Sequence, residues 1–302
     1  MNPDKKAPAA SEYRSSLDLM RFVGAIGIVW AHMFGPGPFV GPLSLSVFLI
    51  ITAFLSAGSL KRRSPAEFIR KRAVSILQPW LVWSAIYFAA DVLRHGLGRS
   101  LSALVDTPLT LLIGTSLHLW FLPFVFLGSF LIVLANRFSG PTSNIVYTLA
   151  IAAPAAALAL ILYDQLKLPA PLGQWAFSLP VFLLGIVAAQ SGRLGQFWVQ
   201  VAYVALVTAL TLAFDASTGL FALVFAAVCF QILWYIRGGH PLFQALGSLA
   251  MGVYLIHPLF ILIVHKAAPG LFVTATGALL VFAVSMLAVM AMRKSRLTRW
   301  LV

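Results

Sequence analysis

An arginine and a histidine stand at the two ends of an apolar stretch, RFVGAIGIVWAH at residues 21–32. Ionisable side chains are costly in hydrocarbon, so those in a membrane-spanning segment usually serve a function. Eleven helical steps place His32 about 20° around a helix from Arg21 and ~16 Å further along it, so both face the same way. A neutral imidazole is well suited to accept a proton near neutral pH. The spacing therefore predicts a catalytic base, His32, on the same helix face as a cation.

Asp18 precedes Arg21 by three residues, and residues at this spacing are neighbours on a helix. We expect the two to form an ion pair, so that one helix presents Asp18, Arg21 and His32 as a polar stripe to an interior cavity. The alternative is that Arg21 and His32 only extend to the headgroups at opposite membrane surfaces. For Arg21 the two interpretations are balanced, because it lies one turn from the predicted helix start. His32 is harder to explain in this way.

Two further groups of polar residues lie in apolar segments. His118 and Trp120 stand at the start of a predicted span, where an aromatic belt would also place a tryptophan. Tyr254 and His257 are three residues apart and share a helix face. Because buried polar groups in a span usually face the protein interior, we expect Tyr254 and His257 to line a substrate cavity. For His118 and Trp120 a cavity and the aromatic belt are both open at this point. The histidines lack the spacing of metal ligands and Cys229 has no cysteine partner, so no metal site is predicted.

A group of cations lies between the second and third apolar segments. Its members are Lys61, Arg62, Arg63, Arg70, Lys71 and Arg72. One interpretation is the ordinary excess of positive charge in cytoplasmic loops, which needs no ligand. The other is a site for phosphate groups, which these side chains bind through charge-assisted hydrogen bonds. We favour the first for 61–63 and the second for Arg70, Lys71 and Arg72, which adjoin the third segment.

Membrane-spanning helices must position these residues. Hydrophobic residues make up 61% of the 302 residues and charged residues 10%, which is outside the usage of soluble domains. Apolar runs of about twenty residues can each cross a bilayer core of ~30 Å, and their continuous apolar character argues against a β-barrel. Ten spans are predicted, at 17–34, 41–60, 73–94, 117–136, 144–163, 175–191, 197–214, 219–236, 242–264 and 270–292.

Lysine and arginine predict the orientation, because cytoplasmic loops carry an excess of both. With the N-terminus inside, most of them fall in cytoplasmic segments. The sequence thus predicts an all-α integral membrane protein with about ten transmembrane helices around a polar cavity and with both termini cytoplasmic. Its parts are an N-terminal tail, 1–16, a transmembrane domain, 17–292, and a basic C-terminal tail, 293–302. The net charge of +13 is then interpreted as contact with anionic membrane lipid, and no nucleic-acid partner is predicted.

Five stretches, in order along the chain, resemble the acyltransferase 3 family of membrane-bound acyltransferases. The first, SLDLMRFVGAIGIVWAH, is similar to the family's Leu-Asp-x-x-Arg followed by ten residues and a histidine. The others are SVFLIITAFL, FIRKRAVSILQPWLVW, HLWFL and LGSLAMGVYLIHP. The chain departs from the family at Thr52 and Ala53, which replace Ser-Gly, and at Ser75, which replaces a second arginine.

The resemblance implies a multi-pass enzyme of the bacterial inner membrane. Its donor would be cytoplasmic acyl-CoA, a co-substrate and not a permanently bound cofactor, with Arg70 and Arg72 matching the family's basic loop. Its acceptor would be a hydroxyl, usually on a sugar of an envelope polysaccharide or lipid-linked glycan, and the match of HLWFL to a family signature implies that His118 and Trp120 line the acceptor pocket. Acetyl is the expected acyl group and succinyl the alternative. His32 would act as a general base or form an acyl-histidine intermediate, and the sequence leaves both open.

A transporter or flippase that moves a small or lipid-linked substrate along the same polar stripe is the alternative from another class. Transporters often contain repeated halves with matching interrupted helices, and no such repeat is found here. A catalytically silent scaffold is the third interpretation. The sequence leaves open the acceptor glycan, homo-oligomer formation and the need for a separate periplasmic partner.

Overall fold

The computed structural model describes residues 14–33, 37–106, 109–137, 143–236 and 240–302, and no strand occurs in these ranges. The α-helices there are α1 (Ser15–His32), α2 (Val40–Leu60), α3 (Pro65–Arg72), α4 (Gln78–His95), α5 (Leu97–Asp106), α6 (Thr110–Ile113), α7 (Phe121–Arg137), α8 (Ser143–Gln165), α9 (Leu172–Gln190), α10 (Gly192–Leu212), α11 (Leu220–Tyr235), α12 (Pro241–Ala267) and α13 (Ala275–Lys294). A π-helical segment, Ala73–Leu77, joins α3 to α4, and 3-10 turns at Leu117–Trp120 and Pro269–Leu271 precede α7 and α13.

Seven helical segments of the described chain are long and apolar enough to cross a membrane. They are Val40–Leu60, Pro65–His95, Leu117–Arg137, Ile145–Gln165, Leu172–Gln190, Pro241–Ala267 and Ala275–Lys294. The three other predicted spans, 17–34, 197–214 and 219–236, coincide with α1, which carries two charged residues, and with two shorter apolar segments, Phe197–Leu212 within α10 and Leu220–Tyr235, which is α11. The all-helical prediction is therefore confirmed and a multi-pass membrane protein is indicated. Ten spans and cytoplasmic termini stay predictions.

Small residues bring α1 close to its neighbours. At Gly247 of α12 an added Cβ would lie 2.6 Å from the Cβ of Asp18, and at Gly27 of α1 it would lie 2.8 Å from the Cβ of Ser44 in α2. Helices in a bilayer gain little from hydrophobic burial against one another, so close backbone approach through small residues supplies much of their association. These contacts hold the polar residues of α1 between α2 and α12.

The segment that carries Arg72 departs from regular α-helix. α3 ends at Arg72, the π-helical turn Ala73–Leu77 follows, and Pro79 stands at the start of α4. Proline has no N–H, so it cannot bond to the carbonyl of Ser75 as an α-helix would require. Local π geometry re-satisfies backbone groups that a proline frees in a spanning helix, and such turns are frequent at functional sites.

The last residues of the described chain lie against the helices. Trp83 of α4 donates from Nε1 to the carbonyl of Leu301 at 3.0 Å. An added Cβ at Gly252 of α12 would lie 2.9 Å from the Cβ of Val302. The end of the predicted C-terminal tail, 293–302, is therefore packed between α4 and α12.

Candidate functional site

A cavity of about 670 Å³ opens beside the C-terminal end of α1. His32 of α1, His118 and Trp120 of the 3-10 turn before α7, and Tyr254 of α12 line it. We call it the histidine cavity. The structure thus brings the predicted base together with three of the four predicted substrate-binding residues. The fourth, His257, is fully buried and meets the cavity through His32.

His32 and His257 form a direct hydrogen bond between two imidazole rings. Nδ1 of His32 lies 2.7 Å from Nε2 of His257. The ring planes differ by 12° and the ring centroids are 4.9 Å apart. Because each nitrogen lies about 1.1 Å from its own ring centre, this centroid distance is close to the maximum that the short N–N contact permits. The rings therefore meet edge to edge in nearly one plane, which is the geometry of a linear hydrogen bond and not of face stacking.

His118 is the third imidazole of this region. Its ring centroid lies 5.8 Å from that of His257 and 4.7 Å from that of Tyr87. Nδ1 of His118 bonds with the Ser116 hydroxyl at 2.9 Å, and its backbone carbonyl accepts from the Tyr254 hydroxyl. Nε2 of His118 is buried. His118 is therefore held by contacts of both its ring and its backbone.

A second cavity, of about 320 Å³, lies beside the N-terminal half of α1 and is lined by Arg21 and Arg72. We call it the arginine cavity. Arg21 forms the expected ion pair with Asp18, at 3.4 Å between Nη1 and Oδ1. Arg72 donates from Nη2 to the Ser56 hydroxyl at 2.8 Å and from Nε to the Ser129 hydroxyl at 3.4 Å. Two guanidinium groups, of which only that of Arg21 is paired with a carboxylate, leave the cavity positive, which suits an anionic ligand.

The other cations of the predicted phosphate site lie elsewhere. Arg70 and Lys71 are exposed on α3 and are not among the residues that line the arginine cavity. Successive helical residues point about 100° apart, so Arg70 lies on the side of the helix opposite Arg72, and Lys71 lies between the two directions. Lys61 donates to a backbone carbonyl at the end of α9 at 3.1 Å, and Arg63 to one at the end of α2 at 3.1 Å. These two therefore stabilise helix ends.

Aromatic rings stand between the two cavities. The centroid of Phe121 lies 5.5 Å from that of Phe48 and 5.4 Å from that of Tyr254. Phe121 lines the arginine cavity, whereas the preceding residue, Trp120, lines the histidine cavity. The sequence predicted one polar stripe along one cavity. The structure divides it at these rings, and Asp18 and Arg21 are not brought to His32.

Sequence reasoning did not single out the hydroxyl groups that hold the site. Ser56 and Ser129 orient Arg72, and Tyr87 packs on His118 while its hydroxyl donates to the Leu255 carbonyl at 2.7 Å. A hydroxyl in an apolar span is a weak signal, because it can bond to a carbonyl of its own helix. Ser129 does this as well, at 2.9 Å. Only the approach of a second helix gives such a residue its further role.

The remaining histidines lie on the surface. His95, His240 and His265 are exposed, and His95 bonds with Asp91 at 2.9 Å. Across the part of the chain that the structure describes, no group of three or more His, Cys, Asp or Glu side chains is arranged to hold a metal ion.

Comparison with known proteins adds an independent finding. A family model described as an acyltransferase domain matches residues 14–294. Nodulation protein NolL from Mesorhizobium japonicum is 28% identical over 149 residues, which are 48% of this chain and 36% of that protein. The matched region therefore spans little more than a third of that relative. No solved structure matches the chain significantly.

Proposed function

The chain belongs to the acyltransferase 3 family, and from this premise we propose that it transfers an acyl group from cytoplasmic acyl-CoA to a sugar hydroxyl. Acetyl is the expected group, and an envelope or exported polysaccharide or a glycolipid is the expected acceptor. The observation that carries the proposal is the 2.7 Å bond between His32 and the buried His257, at the edge of a cavity of about 670 Å³. A fixed imidazole beside a cavity large enough for a sugar is what a general base requires.

The arginine cavity supports an anionic donor. Arg21 and Arg72 offer guanidinium groups there, and Thr52 and Ser75 line the same cavity. At about 320 Å³ the cavity is too small for a whole coenzyme A. We therefore infer that the pantetheine arm and the pyrophosphate at its end are held beside Arg21 and Arg72, while the adenosine and its 3′-phosphate stay outside near the exposed side chains of Arg70 and Lys71.

The proposed reaction is a direct transfer. His32 accepts the proton of the sugar hydroxyl at Nε2 as the hydroxyl oxygen attacks the thioester carbonyl carbon. A C–O bond forms, the tetrahedral intermediate collapses and the C–S bond breaks. The proton passes from His32 to the leaving sulfur, so coenzyme A leaves as the free thiol and the base is restored. An acyl-histidine formed by attack of His32 itself is the competing route, and it would be detected as an acyl mass on His32 when the acceptor is withheld.

This reaction requires the thioester to pass the aromatic partition. Phe121 lies between the two cavities, and its ring touches those of Phe48 and Tyr254. We infer that Phe121 turns aside when the donor enters from the arginine cavity. The division into two cavities then keeps the donor and the acceptor on separate sides until both are bound.

The proposal places the arginine cavity toward the cytoplasm, as the distribution of lysine and arginine predicts. Arg62 and Arg99 are exposed at segments predicted to lie on opposite sides. In a Cys229→Ser background, Arg62→Cys should react with a membrane-impermeant maleimide only after the inner membrane is opened. Arg99→Cys should react in spheroplasts. The reverse labelling pattern would show that the protein has the opposite orientation in the membrane, with the donor site on the outer side.

The proposed function is tested by comparing surface polysaccharide from a deletion strain complemented with wild type, His32→Ala or His95→Ala. His95 is the matched control, because it is an exposed histidine whose ring bonds with Asp91 and lies away from both cavities. We expect O-acetyl signals in the NMR spectrum of the glycan from wild type and His95→Ala, and their loss from His32→Ala.

Equal acetylation in all three strains would remove His32 as the base. A glycan that carries no acyl group in any strain, but accumulates on one side of the membrane when the gene is deleted, would favour the transporter or flippase. Succinyl signals in place of acetyl signals would support the same reaction with a succinyl thioester as the donor.

A further inference from the structure

We propose that His257 is a positioning residue that holds His32 as the tautomer with its proton on Nδ1, leaving Nε2 bare toward the histidine cavity. This inference rests on the proposed function, in which His32 is the base. Three hydrogen-bonding constraints lead to it, beginning at Pro258 in α12.

The first constraint is a backbone carbonyl that lacks its helical donor. Pro258 lies inside α12. Proline has no N–H, so the carbonyl of Tyr254, four residues earlier, receives no backbone hydrogen bond from it. The ring of His257 supplies the missing donor. Its Nδ1 lies 2.8 Å from the carbonyl oxygen of Tyr254 and 3.2 Å from that of Val253.

The second constraint is the protonation state of His257. Carbonyl oxygens only accept, so Nδ1 of His257 carries a proton. The side chain is 0% exposed, and its ring neighbours among the described residues are His32, His118 and Tyr254. None of these offers the negative charge that a buried imidazolium would need. His257 is therefore neutral, and its Nε2 carries only a lone pair.

The third constraint is the contact between the two rings. Nδ1 of His32 lies 2.7 Å from Nε2 of His257, and two bare nitrogens would repel at that distance. Nδ1 of His32 therefore donates the hydrogen bond, and in neutral His32 the second nitrogen, Nε2, is unprotonated. The ring of His32 is exposed to the cavity that it lines, and within the described ranges no group bonds to Nε2.

The choice of an imidazole for this role has a physical reason. In serine proteases a buried carboxylate holds the catalytic histidine in the required tautomer. A second charge inside a membrane protein would be costly to bury. A neutral imidazole can accept the same hydrogen bond and orient the base without adding a charge, provided that its own proton is fixed. Pro258 meets that condition by freeing the Tyr254 carbonyl, so the sequence Tyr254-x-x-His257-Pro258 acts as one unit.

The first test separates positioning from binding. Inverted membrane vesicles carrying wild type, His257→Leu or His257→Gln are supplied with radiolabelled acetyl-CoA, and label in the glycan is measured. We expect His257→Leu to lower kcat by about 10²-fold or more, as loss of the correct tautomer does elsewhere. The KM for acetyl-CoA should stay unchanged. His257→Gln should recover part of the rate, because its side-chain oxygen can accept from Nδ1 of His32.

The second test reads the tautomer without activity. Ring-nitrogen chemical shifts are recorded for the purified full chain labelled in histidine and reconstituted in lipid, and the His32 signals are those absent from His32→Ala. We expect a protonated Nδ1 and a bare Nε2 in wild type, and a mixture of tautomers in His257→Leu. Pro258→Ala returns an N–H to the Tyr254 carbonyl, so it should shift the signals in the same direction by a smaller amount.

A proton on Nε2 of His32 in wild type would overturn the inference. So would a slow His257→Leu enzyme whose His32 signals are unchanged, because that result would reduce His257 to packing. Wild-type shifts as expected in vesicles that transfer neither acetyl nor succinyl from the CoA thioester would instead reject the proposed function and leave the tautomer assignment standing.

Discussion

The two cavities beside α1 hold their polar groups by different means. Beside the histidine cavity, His32 bonds to His257, and His257 bonds to backbone carbonyls, so the proton of each of these two rings has a defined position. In the arginine cavity, Arg21 is held by one carboxylate at 3.4 Å and Arg72 by two hydroxyls. A base must aim one lone pair at one atom, whereas a cation acts over a distance and tolerates small displacements. The first cavity is therefore built for orientation and the second for charge.

The largest expected effect comes from removing the base. His32→Ala should lower kcat by about 10² to 10⁴-fold, the usual contribution of a histidine base, while the KM for acetyl-CoA stays near its wild-type value. The measurement is the initial rate of acetyl transfer in inverted membrane vesicles. A higher KM with an unchanged kcat would show that His32 takes part in donor binding. The two cavities would then not differ in function.

A substitution in the arginine cavity should change the KM for acetyl-CoA more than kcat. Arg72→Gln removes the charge from the cavity together with the guanidinium bonds to Ser56 and Ser129. A hydrogen bond from a charged group to the donor contributes about 1.5 to 3 kcal/mol, so the KM for acetyl-CoA should rise by roughly 10 to 100-fold with a smaller change in kcat. Arg62→Gln is the matched control, because Arg62 is exposed and lines neither cavity. Equal effects of the two variants would contradict a specific role for the cavity.

Helix contact at the arginine end can be tested separately. Gly247→Ala places a Cβ 2.6 Å from the Cβ of Asp18, which forces α1 from α12. Overpacking of this kind typically costs about 1 to 3 kcal/mol, so the Tm of the detergent-solubilised protein should fall. Gly58→Ala is the control, because an added Cβ there meets nothing within 4 Å. A Tm for Gly247→Ala equal to that of Gly58→Ala would argue against close packing at this position.

The smallest effect is expected outside the cavities. Lys61→Ala removes the hydrogen bond to the end of α9. A lysine at a helix C-terminus contributes about 0.3 to 1 kcal/mol, so a slightly lower Tm and an unchanged KM are expected. Thermal unfolding measures the Tm, and initial rates at increasing concentrations of acetyl-CoA measure the KM. A raised KM would extend the phosphate site to residues that the structure places on the surface.

Much of the fold could be predicted from the sequence. All ten predicted apolar spans coincide with helices, because a segment with no polar alternation can satisfy its backbone in lipid only as a helix. The Asp18–Arg21 ion pair could also be predicted, since its geometry is local to one helix. The outward orientation of Arg70 and Lys71 could not be predicted in the same way. Three adjacent cations look alike in sequence, and only packing of the α3 helix decides which of them faces inward.

The amino-acid sequence by itself determined the helices, the family and the residues able to exchange a proton or hold an anion, because these depend on composition, periodicity and short spacing. Tertiary structure alone decided that His32 meets His257, that Arg72 and not Arg70 enters a cavity, and that aromatic rings divide the polar stripe in two. His32 and His257 are 225 residues apart. No local rule relates residues at that separation, and the packing of α1 against α12 is what sets the position of one ring nitrogen against another.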